Sequence, residues 1–279
     1  MLDLVVLQKR NIDKCPHCKS VKFIKYGFYN GVQRFKCRNE LCTRTFSLSS
    51  ETPFYYSKKS MRLWNKYLGL MLSGLSIRAC AKMLNIHINT SFNWRHKILV
   101  ATMKLKDPKE LKMYIEMGKV FFKENFKGCR KIEKTTRDKV WVINAIDENR
   151  NMLSKPVSIG IWDERSFKGH IYNKIDEKSY IYAYGDRYLD NIARKHNIKS
   201  DIILEEKGLF SGVNLEIFLW FKKFYGVATK YLKYYLCWFI RFFNDEYMEI
   251  LNSIKTIMIL SIFKRAIDIK ASPHSPLIS

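Results

Sequence analysis

Two close pairs of cysteines near the front of the chain constrain its folding more than any other feature. Cys15 and Cys18 form C-x2-C, Cys37 and Cys42 form C-x4-C, and eighteen residues lie between the pairs. Two tight turns with this spacing can present four thiolates tetrahedrally to one zinc ion, each at about 2.3 Å. A reducing compartment disfavours a disulfide pair, so zinc is expected over free thiols or redox chemistry. His17 sits inside the first pair and is a bystander where four cysteines already complete the shell. No ligand position is left for a substrate, so the metal is expected to be structural. Between the pairs, "VKFIKYGF" and "VQRFKC" alternate apolar and polar residues around "YNG", the pattern of a β-hairpin. Residues 1–52 therefore read as a zinc ribbon, and Cys80, Cys129 and Cys237 read as scattered packing residues.

The rest of a 279-residue chain exceeds the usual single-domain length, and 47% apolar residues suffice for packed cores, so two or three units are expected. Lys and Arg number 50 against 26 Asp and Glu, a formal charge of +24. That excess implies a polyanionic partner, nucleic acid first, since phosphate neutralisation dominates its binding. A Lys-rich composition inherited from an AT-rich genome is the competing source of part of the charge. No charged leader with an apolar core opens the chain, and no uncharged apolar run of about 18 residues occurs. The expectation is a soluble cytoplasmic protein, nucleoid-associated, without membrane contact. "TIMILSIF" (256–263) reads as a short packing helix and the tail after Ile269 as disordered.

From Ser57 to Met103 the apolar period shifts toward 3.6. Met61, Trp64, Leu68, Met71 and Leu72 fall on one face, and Gly74 follows. Ser76 is a good N-cap for "IRACAKML", and a further helix is expected from Thr90 through "SFNWRHKILVATM". Two short helices around a tight turn match a helix-turn-helix, with an ordinary three-helix bundle as the plain alternative. In the first case Thr90, Ser91, Asn93, Arg95 and Lys97 are candidate DNA contacts, with Phe92, Trp94, Ile98 and Leu99 on the buried face. A basic loop farther on adds Lys127, Arg130 and Lys131 as candidate phosphate contacts.

With "CPHC", "QRFKCRNELCTRTFS", "GLSIRACAKMLNI", "TSFNWRHKIL", "YIEMGKVFFKENFKG" and "YGVATKYLKYYLCWF" on the page, the chain resembles bacterial insertion-sequence transposases. Those carry an N-terminal zinc ribbon, a helix-turn-helix and an RNase H-like nuclease domain with a DDE-type metal site. The resemblance runs from about Cys15 to Trp238. It implies an α+β multidomain protein: ribbon 1–52, helix-turn-helix 53–110, RNase H-like α/β domain 111–243, and a C-terminal helix and tail 244–279. It also implies binding of double-stranded DNA at element ends, cutting and joining by Mg2+ or Mn2+, and a homo-oligomer on the DNA.

The implied metal site departs from the family pattern. The first acid falls on Gly118, followed by Lys119, with Glu116 two residues earlier on the same strand face. The second falls on Tyr184 or Asp186, and the third on Asn214 or Glu216. Glu116, Asp186 and Glu216 are the candidate catalytic ligands. Asp147 reads as a turn acid between two strands. The expected function is a transposase impaired at Gly118, where Gly118→Asp would rescue cleavage. The alternatives are a catalytically dead DNA-binding derivative and a zinc-ribbon transcriptional regulator.

Overall fold

The computed structural model describes residues 10–55, 57–103, 110–129, 136–162, 171–204, 208–244 and 254. The chain divides into two compact units. The described residues of the first are 10–103 and 254, and those of the second are 110–244. The expected ribbon and helical segments both belong to the first unit. Arg130, Lys131 and the segment 256–279 lie outside the described residues.

The first unit opens with the expected hairpin, β1 (Phe23–Tyr29) against β2 (Val32–Cys37). Asn30 and Gly31 both take positive φ, 49° and 74°, as a two-residue turn matched to the strand twist requires. A short third strand, β3 (Thr45–Ser47), pairs with β2 and brings Phe46 onto Phe35. Phe23, Phe35 and Phe46 pack with Cys15 and Cys37 in a small core. Among three strands this short, that core is too small to hold the module alone.

Three helices follow. Helix α1 (Met61–Leu72) starts at Ser60, whose side chain accepts from Leu63 N, and ends before Gly74 at φ 80°. Helix α2 (Ile77–Met83) starts at Ser76, whose hydroxyl accepts from Ala79 N. Helix α3 (Ile88–Thr102) begins two residues before Thr90, because the His87 ring caps Asn89 N at 3.2 Å. The apolar face expected of α1 is the core: Trp64, Leu68, Met71 and Leu72 are buried, and the Trp64 ring stacks on Trp94 of α3 at 4.0 Å.

The second unit is a five-stranded mixed sheet in the order β6-β5-β4-β7-β8. Strands β4 (Tyr114–Lys123), β5 (Lys139–Asp147) and β6 (Met152–Ile159) form an antiparallel meander, while β7 (Tyr180–Tyr184) and β8 (Lys199–Ile203) run parallel to β4. Helix α4 (Arg187–Lys195) connects the two parallel strands, and α5 (Leu209–Lys222) and α6 (Leu232–Asn244) follow β8. The turn acid expected at the β5–β6 hairpin is Asp147, which accepts from Asn151 N at 2.8 Å and Asn151 Nδ2 at 3.0 Å. Tyr225 and Gly226, at φ 53° and 93°, break the path between α5 and α6. The late aromatic stripe is core: Tyr235, Leu236 and Trp238 are buried, and Trp220 meets Trp238 edge-on at 4.8 Å. No helix among the described residues is long and apolar enough to cross a membrane.

Candidate functional site

Two tight turns assemble the cysteine site. In the first, Cys15 N donates to Ser20 O and Lys19 N donates back to Cys15 O, with Lys19 at φ 64°. The second pair has two more intervening residues, and Asn39 organises them. Its backbone carbonyl accepts from Cys42 N, and its side chain accepts from Leu41 N at 3.0 Å. Asn39 N in turn points at Cys37 Sγ, 3.4 Å away, as backbone donors do around metal-bound sulfur.

The four sulfur atoms lie within 4.8 Å of one another, with Cys15–Cys42 at 3.9 Å and Cys18–Cys37 at 3.6 Å. Four thiolates at about 2.3 Å from a tetrahedral zinc are about 3.8 Å apart, so the donor set fits that ion. Burial pushes the Cys37 thiol up to about 12, opposed by the hydrogen bond from Asn39 N and reinforced by the neighbouring thiols. A bound dication reverses that penalty by favouring the thiolate. Among the described residues this is the one cluster of three or more His, Cys, Asp or Glu side chains with converging ligand atoms.

The three candidate catalytic acids do not converge. Glu116 lies on the face of β4 that α5 covers. Its carboxylate accepts from Phe210 N at 2.8 Å and from the Tyr184 hydroxyl at 3.2 Å. Asp186 is on the other face. Its Oδ1 accepts from Tyr188 N at the start of α4, and its Oδ2 forms an ion pair with Lys119 Nζ at 2.8 Å. Lys119 and Gly118 are adjacent in β4 and so project to opposite faces. The Lys119 ammonium also lies over the rings of Trp162 at 4.9 Å, Trp141 at 5.4 Å and Tyr188 at 5.8 Å. Asp186 is thus a helix cap and the counterion of a ring-enclosed lysine. Glu216 is exposed on α5 and lines a shallow hollow of about 290 Å³ with Arg150, Phe239, Phe242 and Phe243.

The covered face of β4 explains why Gly118 must be glycine. A Cβ there would meet the Phe210 ring, with Cε1 only 2.6 Å away. That ring is buried and stacks on Tyr184 at 4.9 Å. Gly118 pairs with Asn144 across the strands, and Asn144 donates to Asn214 Oδ1 at 2.7 Å while accepting from Ser154 Oγ at 2.6 Å. Gly118, Tyr184 and Asn214 thus share the covered face of the sheet around the Phe210 ring, which acts as a plug. The plug escaped sequence reasoning because Phe210 is an ordinary aromatic residue at a helix start. The available signal was the pairing of a mid-strand glycine with a large residue that could fill its space.

Burial, then the Glu116 charge, pushes Tyr184 up to about 12 from its ordinary 10. The fold thus favours the neutral phenol. Its contribution is complete below pH 10 and is lost as pH rises toward about 12. Tyr184→Phe should flatten the alkaline limb of the stability profile in that window, measured by urea unfolding at stepped pH.

The proposed DNA-contacting positions of α3 separate by burial. Asn93 is exposed and Thr90 half-exposed, beside exposed His87 and Asn89. Ser91 is buried, its hydroxyl donating to Ile77 O at 2.8 Å, and Tyr67 donates to Ser91 O at 2.6 Å. Arg95 is fully buried and donates to Leu75 O and to Cys80 Sγ. Lys97 donates to Pro53 O at 2.8 Å, and burial lowers its pKa. Ser91 and Arg95, one helical turn apart, therefore face α1 and the start of α2, while Lys97 ties α3 to the segment before α1. Phe92, expected in the core, is 38% exposed. Lys127 is exposed on its loop. Arg95→Ala should cost about 2–4 kcal/mol by removing buried charge-assisted hydrogen bonds, read as a lowered midpoint in urea.

The fold and site define a protein that joins a four-cysteine hairpin and three helices to a mixed five-stranded sheet whose central face is plugged. No protein-family model matches the chain. It is 25% identical over 127 residues to an "uncharacterized protein in transposable element ISH50" of Halobacterium salinarum, a match covering 45% of this chain and 42% of that protein. The match thus spans less than half the length of that relative. A chain of the solved pre-cleavage Mos1 transpososome aligns with 73% of this chain and 79% of its own length, at 10% identity and a TM-score of 0.27.

Proposed function

We propose that this chain is a transposase-derived DNA-binding protein that grips duplex DNA without cutting it. In this reading residues 1–52 are a zinc ribbon, and α2 and α3 are a helix-turn-helix that offers Thr90 and Asn93 to a duplex. The second unit is an RNase H-like domain whose strand order suits that fold but whose metal site is dismantled. The observation that carries the reading is Phe210 occupying the space beside Gly118, where a metal-holding carboxylate would project. Lys119 supports it, since its ammonium neutralises Asp186. A two-metal site needs converging carboxylates to hold its ions. The similarity to a protein described as part of a transposable element supports the ancestry, and the charge of +24 supports a polyanionic partner.

The test is a mobility shift on duplex DNA carrying the flanking repeats of the element, with cleavage followed in Mg2+ and in Mn2+ on the same DNA. Binding without cleavage is the expected result. Metal-dependent strand cutting by the unaltered protein would overturn the reading.

A further inference from the structure

The outer face of the cysteine-bearing hairpin carries side chains that the metal site does not use. Paired residues of antiparallel strands project to the same face. Phe23, Phe35 and Phe46 point into the core, so the opposite face carries the row Ile24–Lys36–Thr45 and the pair Arg34–Ser47, with the unpaired Tyr26 beside Arg34 and Lys36. A bulge between Lys25 and Phe28 interrupts the register, with Gly27 at φ 69°. Pairing resumes as Phe28–Gln33 and Tyr29–Val32. The extra residue therefore brings Tyr29, and not Phe28, to the face that bears Tyr26.

That face is open and carries one sign of charge. Tyr26 is 47% exposed and Tyr29 67%. The Arg34 guanidinium and the Lys36 ammonium each lie 5.6 Å from the Tyr26 ring centre. The paired rows contain no acid. Across residues 10–55 nine Lys and Arg stand against three acids, Asp13, Glu40 and Glu51, and Glu51 is bound to Lys19 at 3.2 Å.

We propose that this face binds single-stranded DNA, with unpaired bases stacking on Tyr26 and Tyr29 and phosphates held by Arg34 and Lys36. Cations alone would serve a duplex equally well. Two exposed rings brought to one face by a bulge serve unpaired bases, whose flat surfaces are free to stack. The choice of single strand rests on the rings, and the choice of DNA over RNA rests on the function proposed above.

The experiment is fluorescence anisotropy of the zinc-loaded full chain with a labelled oligothymidylate of about 20 nucleotides, long enough to cover a single site. Oligouridylate of the same length and a blunt duplex are measured in parallel. Tyr26→Ala and Tyr29→Ala should each weaken oligothymidylate binding about tenfold, while Tyr26→Phe, which keeps the ring, should bind like the parent. Zinc content is measured on every variant, and Tyr29→Ala, near the hairpin tip, remains informative if Tyr26→Ala loses metal. The proposal fails if both alanine variants retain parental affinity, if Tyr26→Phe loses as much as Tyr26→Ala, or if oligouridylate binds more tightly than oligothymidylate. It also fails if duplex and single strand weaken equally, which would leave duplex recognition standing. Intact oligothymidylate binding with no duplex binding would instead overturn the duplex reading alone.

Discussion

Cys37→Ser is expected to abolish zinc binding, taking the purified chain from one equivalent of metal to none, and to unfold the three-stranded module. Cys37 is 1% exposed, and its sulfur is one of the four converging on the site, 3.6 Å from that of Cys18. The cluster around the cysteines buries Phe46 fully and Phe23 and Phe35 only in part, so a bound metal is expected to supply most of the module's stability. Structural zinc sites contribute about 10–16 kcal/mol of binding free energy at neutral pH, far more than such a core. Removing zinc with a chelator should reproduce the variant's loss reversibly, as should acid that reprotonates the thiolates. Plasma-emission metal analysis reads the stoichiometry, and loss of the hairpin's amide protection in hydrogen exchange reads the unfolding. The melting of the second unit should be unchanged, since its core contains none of these residues. A Cys37→Ser protein that retained full zinc would refute the four-cysteine assignment.

Gly118→Asp is expected to destabilise the second unit by about 3 kcal/mol or more and to leave the protein without cleavage activity. Overpacking against a buried ring costs about 1–3 kcal/mol, and the new carboxylate adds the desolvation cost of a charge buried beside that ring. It would also share a strand face with Glu116, about 6.6 Å along the strand. Family resemblance alone favours rescue by this substitution, but the plug removes that expectation. Phe210→Ala in the same chain should recover part of the stability by opening the space. Cleavage should still be absent, because Glu116 and Asp186 lie on opposite faces of the sheet and cannot converge on a pair of metal ions. Urea unfolding and a plasmid-nicking assay in Mn2+ check both halves. Nicking by the single Gly118→Asp variant would show that Phe210 moves aside easily and that the site is one substitution from activity.

The features legible in the sequence are those whose physics is local. Cysteine spacing places four sulfurs within reach of one ion, because each pair needs only one tight turn and a hairpin brings the turns together. Ser60 and Ser76 cap their helices through bonds to residues three positions on. Asp147 closes a hairpin by bonding Asn151, four residues away. Alternation and turn residues likewise marked the two hairpins of β1–β2 and β5–β6. Along helix α3 the outcome departs from the local pattern, because burial there depends on the neighbouring segments. Polar Arg95 and Ser91 look like surface contacts until the turn before α2 supplies the Leu75 carbonyl and the first residue of α2 the Ile77 carbonyl that they satisfy.

The central face of the sheet was decided by tertiary structure. Glu116 and Phe210 are 94 residues apart, yet one backbone amide and one carboxylate join them. No periodicity in either segment encodes that meeting. The order of residues alone puts a glycine two positions after Glu116 and a lysine next to it. Only the packed sheet determined that an aromatic ring fills the vacancy and that the lysine turns away to neutralise Asp186. The physical reason is that metal-ligand spacing within a turn is set by the chain's own covalent geometry. Convergence of side chains across a sheet is set by which helix the completed core draws over it.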